Sequence, residues 1–336
     1  MGPELLLELD DDQLFWRETV QSALSKQCPA SLVRRIAEGT AEADGLWAWY
    51  VENGWTDLGG PESFVELTLL LEELGRATDP TPFVASTTQF APLVGERFDP
   101  TIAGSVVYAG VDVHRSRDGW ILDGTAQFVL DGDRAEQFAV VTAAGIFITN
   151  ASDVKVRRVP TFDPLLHFAE VSFTEAWVSK DNRVAGDAEG AWHIALTGAA
   201  ITTVGACQRI LDLTLEHMKE RHQFGVPIGS FQALQHKAAD MHVMIERARA
   251  LSYFSALTVS VDDPRRRLAS VMAKIAAGEA QALVVQYGMQ SFGGMGLTWE
   301  NDLQFAVKRA RACELMLGDA AQHRALLTKE YRATDF

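Results

Sequence analysis

Two short stretches hold the residues best suited to chemistry. Arg221 and Phe224 lie in KERHQFGVPIGSFQALQHKAADM (Lys219 to Met241), and Gln290, Gly293 and Gly294 in QSFGGMGLTWE (Gln290 to Glu300). A guanidinium is a permanent, bidentate partner for a pyrophosphate, an aromatic ring packs on a cofactor, and adjacent glycines let a backbone approach a ligand closely. Taken singly, each has a plainer role: Arg221 as a solvated helix-end cation, the glycines as a helix C-cap. Other reactive types promise less. His217, His222, His236 and His242 crowd one region, but without the carboxylate spacing a metal needs, and read as surface or interface residues. The three cysteines, Cys28, Cys207 and Cys313, lie far apart with no CxxC pair, which speaks against a disulfide framework or zinc site and fits a reducing cytoplasm. The eight tryptophans, Trp47, Trp49 and Trp55 among them, read as core.

These residues must be positioned by the surrounding elements. From Asp11 to about Arg76 apolar residues recur at three and four, as in Leu67, Leu70, Leu71 and Leu74, which predicts amphipathic helices. Pro80 and Pro82 in ATDPTPFVASTT predict a break in any helix there. From Ser105 to Ser179, β-branched and aromatic runs such as SVVYAGVDV, GWILDG, QFAVVTA, GIFITN and VKVRRV alternate with Gly, Asp and Asn, which predicts an antiparallel β domain. Between Ala191 and Tyr331 the helical period returns, with Leu234, Ala238, Met241, Ile245 and Ala248 on one stripe and Leu268, Val271, Met272, Ile275 and Leu283 on another. The helix beginning near Trp192 carries Gly198, Ala199, Ala200, Gly205 and Ala206, which permit close backbone approach. The expected domains are a helical 1–102, a β 103–180 and a helical-bundle 181–336.

The 336 residues, 47% hydrophobic, can build a sizeable core. Acidic residues outnumber basic ones 45 to 30, and a net charge of −15 repels a nucleic-acid backbone. A local basic cluster can still bind an anion such as coenzyme A. The N-terminus has no basic n-region, its apolar run is only Leu5 to Leu7, and no later stretch is expected to reach the roughly 20 apolar residues of a membrane span. Met1-Gly2-Pro3-Glu4 is a poor myristoylation signal. A cytoplasmic, soluble protein is expected.

With KRARACELMLGD (Lys308 to Asp319) and EELGR (Glu72 to Arg76), the two motifs and the helix, β, helix order resemble the acyl-CoA dehydrogenase family over nearly the whole chain. The resemblance implies an α+β fold with an N-terminal helical domain, a middle antiparallel β domain and a C-terminal four-helix bundle. It also implies FAD, a coenzyme A thioester substrate, an electron-transfer flavoprotein or similar acceptor, and a four-subunit assembly. In such enzymes the residues matching Arg221, Phe224, Gln290, Gly293 and Gly294 reach across an interface to the FAD of a neighbouring subunit.

The chain departs from that pattern where chemistry is done. Removing a proton beside a thioester carbonyl needs a carboxylate against that proton and donors on the carbonyl oxygen. The family positions for this base hold Leu317 and, for some relatives, Ala195, neither of which accepts a proton. TAQFVLDG puts Phe128, Val129 and Leu130 where a WIT sequence would contact the flavin, and no TEP-type entrance is recognisable between Ala103 and Val113. The resemblance is therefore to the shorter, non-catalytic subunits of actinobacterial α2β2 acyl-CoA dehydrogenases acting on steroid-CoA side chains, with a homologous catalytic subunit as partner. Two alternatives stand beside it: a homomeric dehydrogenase with Asp319 or Glu314 as a displaced base, and a non-redox acyl-CoA-binding scaffold. Glu314 otherwise reads as a solvated or paired helix carboxylate and Asp319 as a turn residue.

Overall fold

The structure, a computed structural model, describes residues 8–330; the Leu5–Leu7 run, Tyr331 and the outer ends of the first and last expected domains lie outside the described residues. Its helices are α1 (Asp11–Gln27), α2 (Ala30–Ala37), α3 (Asp44–Glu52), α4 (Phe64–Ala77), α5 (Ala91–Val94), α6 (Ala188–Glu220), α7 (Gln232–Ser260), α8 (Arg266–Phe292), α9 (Leu303–Leu315) and α10 (Ala320–Glu330). Two compact units form. One combines the chain up to Glu38, Pro61–Asp79 and the chain from Leu196 onward; the other combines Gly39–Gly60 with Pro80–Ala195.

In the helical unit α4 is central rather than amphipathic: Leu67, Leu69, Leu70, Leu71 and Leu74 are all buried, and so are Glu72 and Glu73. Those acids are buried with hydrogen-bond partners rather than exposed. Glu72 accepts from Arg249 Nε at 2.7 Å and from Tyr253 Oη at 2.5 Å, and Gln21 donates to Glu73 at 2.7 Å. The close approach expected of α6 is made against α4. A Cβ on Gly205 would stand 1.8 Å from the Glu72 carbonyl oxygen, and one on Gly75 would stand 2.2 Å from that of Thr202. EELGR thus supplies both the small residue and the buried acids of one helix crossing.

The stripe expected on α7 holds in its centre, where Met241, Ile245 and Ala248 are buried. On α8 the period reading needs correction. Of the expected stripe Ile275 is buried, but Leu268, Val271, Met272 and Leu283 are only partly so, and the face turned inward is mostly small: Ala269, Ala273, Ala276, Ala277, Gly278 and Ala280. Close-packed helices select small residues at their contact, so the largest apolar residues are displaced to its edge. The expectation of no stretch as apolar as a membrane span is also corrected. Ala188–Glu220 and Arg266–Gly296 reach that length and apolarity, with 83% and 61% of the apolar window buried inside the protein.

In the other unit, two four-stranded sheets pack together. The first has the order β1 (Gly104–Val107), β4 (Gln137–Thr142), β5 (Gly145–Asn150), β8 (Arg183–Val184); the second has β2 (Val111–Arg115), β3 (Gly119–Leu130), β7 (Phe168–Ser179), β6 (Lys155–Val159). Leu122, Phe138, Val140, Phe147, Val171 and Phe173 form the core between them. The expectation of a wholly antiparallel domain fails at one pair: β1 runs parallel to β4. SVVYAGVDV is not one strand, because Gly110 at φ 86° turns the chain out of the first sheet into the β2–β3 hairpin of the second. When the chain returns as β4 it runs in the direction of β1. The prolines also act differently from expectation. Helical backbone begins right after Pro82, as a π-helical stretch over Ala85–Phe90 that continues into α5, so the prolines precede a helix rather than exclude one.

Candidate functional site

Beyond α6 the chain makes a minimal hairpin, β9 (His222–Gln223) against β10 (Val226–Pro227), whose two-residue turn is Phe224 and Gly225. Both turn residues have positive φ, 54° and 81°. Such turns normally take Asn or Gly at the first position; an aromatic residue there costs about 1 kcal/mol or more. Among the described residues nothing repays that cost through burial: Phe224 is 92% exposed, with the Phe231 ring edge-on at 6.1 Å. Arg221, at the foot of the hairpin, is exposed and forms no ion pair among the described residues.

The second motif lies at the same end of the helical unit. The rings of His217 on α6 and Phe292 at the end of α8 stack at 4.2 Å, tying Arg221 to the loop of Gly293 and Gly294. Partial burial, and then the neighbouring Arg221 charge, hold the His217 imidazole below its usual pKa. Gly293, at φ 58° and ψ −139°, takes a conformation that only glycine adopts without strain. A Cβ on either glycine would meet nothing of this chain within 4 Å, so the space beside them is open. Gln290 is exposed, and its Oε1 accepts a hydrogen bond from Lys237 Nζ of α7. The fold therefore brings all five motif residues to one end of the helical unit. Lys237 and the His217–Phe292 stack were not foreseen from sequence, since only the packing of α6, α7 and α8 brings them to the motifs.

The turn between α9 and α10 holds Leu317 in a left-handed conformation, φ 59°, half-buried and followed by Gly318 at φ 97°. Buried Lys274 of α8 donates to the carbonyls of Cys313 and Glu314 at 2.9 and 2.6 Å, capping the end of α9. Burial lowers its pKa to about 8. His323 Nε2 donates to the Leu317 carbonyl at 3.0 Å, and its Nδ1 is buried without a hydrogen bond among the described residues. The two carboxylates nearest this turn are already engaged. Glu314, buried, accepts from Arg311 at 2.6 Å and from the Ala320 amide at 3.1 Å. Asp319 caps α10: Gln322 N donates to it at 2.8 Å while its own amide donates to Gln322 Oε1 at 3.1 Å, a reciprocal capping box.

In the β-rich unit the TAQFVLDG stretch forms the end of β3, where its register against β7 shifts between Ala126 and Val129. Phe128 sits in that irregularity at φ 55° and is 63% exposed, while Val129 and Leu130 are buried. The Leu130 carbonyl accepts the Ser105 hydroxyl at 2.5 Å, but no hydroxyl side chain stands at the position itself. Ala195 is buried, 1% exposed.

The family profile described as Acyl-CoA dehydrogenase, C-terminal domain, matches residues 194–331. The acyl-CoA dehydrogenase IpdE2 of Mycolicibacterium smegmatis is 31% identical over 327 residues, covering 92% of this chain and 96% of that one. The chain belongs to the acyl-CoA dehydrogenase family. Its fold is the family's: a subunit in the crystal structure of the ChsE4-ChsE5 complex from Mycobacterium tuberculosis superposes with a TM-score of 0.88, at 21% identity, over 98% of this chain and 99% of that one. A Tcur3481-Tcur3483 steroid ACAD variant superposes at 0.82, also at 21% identity, over 97% and 99%. The α+β class read from element order is therefore that of the acyl-CoA dehydrogenase fold.

Proposed function

We propose that this chain is the accessory subunit of a heterotetrameric, FAD-dependent acyl-CoA dehydrogenase that desaturates a coenzyme A thioester between its α and β carbons. The substrate is a steroid side-chain thioester undergoing β-oxidation in the cytoplasm, and electrons pass to an electron-transfer flavoprotein or similar acceptor. One observation carries the reading. Arg221, Phe224 and the Gly293–Gly294 loop stand exposed together with an uncompensated charge, backbone strain and open space, while the turn that would present the base offers Leu317. A strained, exposed group of this kind persists when something outside the chain repays it.

The residues fit a dinucleotide. Arg221 would pair with its diphosphate, the Gln290 amide would supply a donor, Phe224 would pack on it, and the glycines leave room for it. When bound, FAD accepts the hydride that leaves the β carbon. This chain holds no free carboxylate at Leu317 or Ala195 to take the α proton, so the base comes from the partner subunit. A displaced base is disfavoured, because Glu314 and Asp319 are committed to Arg311 and to the start of α10. A scaffold without redox function would have no use for the exposed flavin-type motifs. The ChsE4-ChsE5 complex and the steroid named for the Tcur3481-Tcur3483 protein support a heteromeric assembly and a steroid thioester. We infer that this chain's own half-site, where Phe128, Val129 and Leu130 stand in place of a flavin-contacting sequence, accommodates a bulky acyl group.

The test is to purify the chain alone and co-expressed with a catalytic acyl-CoA dehydrogenase subunit. The expected result is a colourless chain alone and a yellow, active pair from which Arg221→Ala strips flavin. A chain that is yellow, stoichiometric in FAD and active by itself refutes the assignment.

A further inference from the structure

A glutamine amide is ambiguous by itself: one end accepts hydrogen bonds and the other donates them, and its neighbours decide which end faces out. At Gln290 the neighbour is Lys237, whose ammonium has donors only and takes the amide oxygen. That leaves the Gln290 NH2 group as the outward end, with no hydrogen bond among the described residues. Lys237 is itself held from a second side, with Nζ 5.1 Å from the centre of the Tyr287 ring, one turn before Gln290 on α8. It forms no ion pair among the described residues, although the chain carries 45 acidic residues against 30 basic ones. A lysine that pairs with a neutral amide and an aromatic ring in so acidic a chain is spending its charge on orienting that amide.

We propose that Lys237 is a positioning residue for Gln290, fixing its amide so that this end of the helical unit presents only donors, the Arg221 guanidinium and the Gln290 NH2, to the diphosphate of FAD. The inference rests on the accessory-subunit reading above. Without Lys237 the amide rotates freely and offers its oxygen to an anion for part of the time, which converts a hydrogen bond into a repulsion. A carboxylate at position 237 is worse, because it accepts from the NH2 group and turns the oxygen outward.

The experiment is a titration of the flavin-free complex of both subunits with FAD, followed by flavin fluorescence. Lys237→Met is expected to raise the FAD dissociation constant roughly tenfold, the scale of one charged-group hydrogen bond. Lys237→Glu is expected to raise it further, and Lys237→Arg to stay near the parent value. Gln290→Met removes the group on which Lys237 acts, so Lys237→Met added to Gln290→Met is expected to cause no further loss.

Three outcomes overturn the proposal: a change below about twofold in Lys237→Met, an additive loss in the double variant, or a fall in the melting temperature of the flavin-free complex that Lys237→Arg shares. Arg221→Ala, run in parallel, separates the two levels. If it weakens FAD while Lys237→Met does not, only the role of Lys237 fails. If neither matters, the accessory-subunit reading fails with it.

Discussion

Leu317, at the position where the family resemblance expects the base, sits in a left-handed turn with Lys274 below it and His323 on its carbonyl, and its side chain offers no acid. Lys274 makes a measurable contribution to pH dependence. Burial lowers its folded pKa to about 8, against about 10.4 in an unfolded chain. Between those values the unfolded state binds the extra proton, so this group makes stability rise with pH from about 8 to about 10.4. Urea unfolding across that range should show a more positive slope for the parent than for Lys274→Met. At the flavin-type loop, stability and binding should separate. A Cβ on Gly294 meets nothing of the described chain, so Gly294→Ala should leave unfolding stability within about 0.5 kcal/mol of the parent while weakening FAD retention by the two-subunit complex. Arg221, Phe224, Gln290 and the glycines are legible in sequence because each sits in a contiguous motif. Lys237, Lys274 and His323 are not, because each acts on a residue of another element that only packing brings near.

At the scale of elements, the helix, β, helix order was readable from periodicity, and so was the buried centre of α7. The inward face of α8 was not, because periodicity weighs residues by size while a close helix contact is lined with alanine and glycine. The same rule makes the α4–α6 crossing brittle. Gly205→Ala would drive a methyl group into the Glu72 carbonyl, and it should cost about 1–3 kcal/mol or more, seen as a lower urea midpoint with an unchanged slope. The parallel β1–β4 pair was hidden for another reason. Strand composition says nothing about direction, and the deciding residue, Gly110, looks like any hairpin glycine until its neighbours are placed.

For the whole molecule, a net charge of −15 leaves the local placement of cations to decide anion binding. The exposed Phe224 hairpin and the Gly293 loop are the segments that assembly should order. Hydrogen exchange is expected to slow at residues 221–227 and 293–298 when the partner subunit and FAD are added, with the β4–β5 ladder unchanged. Loss of protection at the hairpin on assembly would contradict the proposed interface role.

The helical unit is discontinuous along the chain, and synthesis must therefore proceed through an awkward interval. Glu72 leaves the ribosome 177 residues before Arg249, the cation that neutralises it. At about 5–20 residues per second that gap lasts on the order of 10–35 s. Throughout it α4 has α1 beside it but lacks α7, the helix that completes its packing and brings Arg249, while the Pro80–Ala195 segment can already fold as a continuous piece. The nascent chain is thus a finished β unit trailing an unfinished apolar helix, and chaperone occupancy during translation should peak over α4 and fall once α7 emerges.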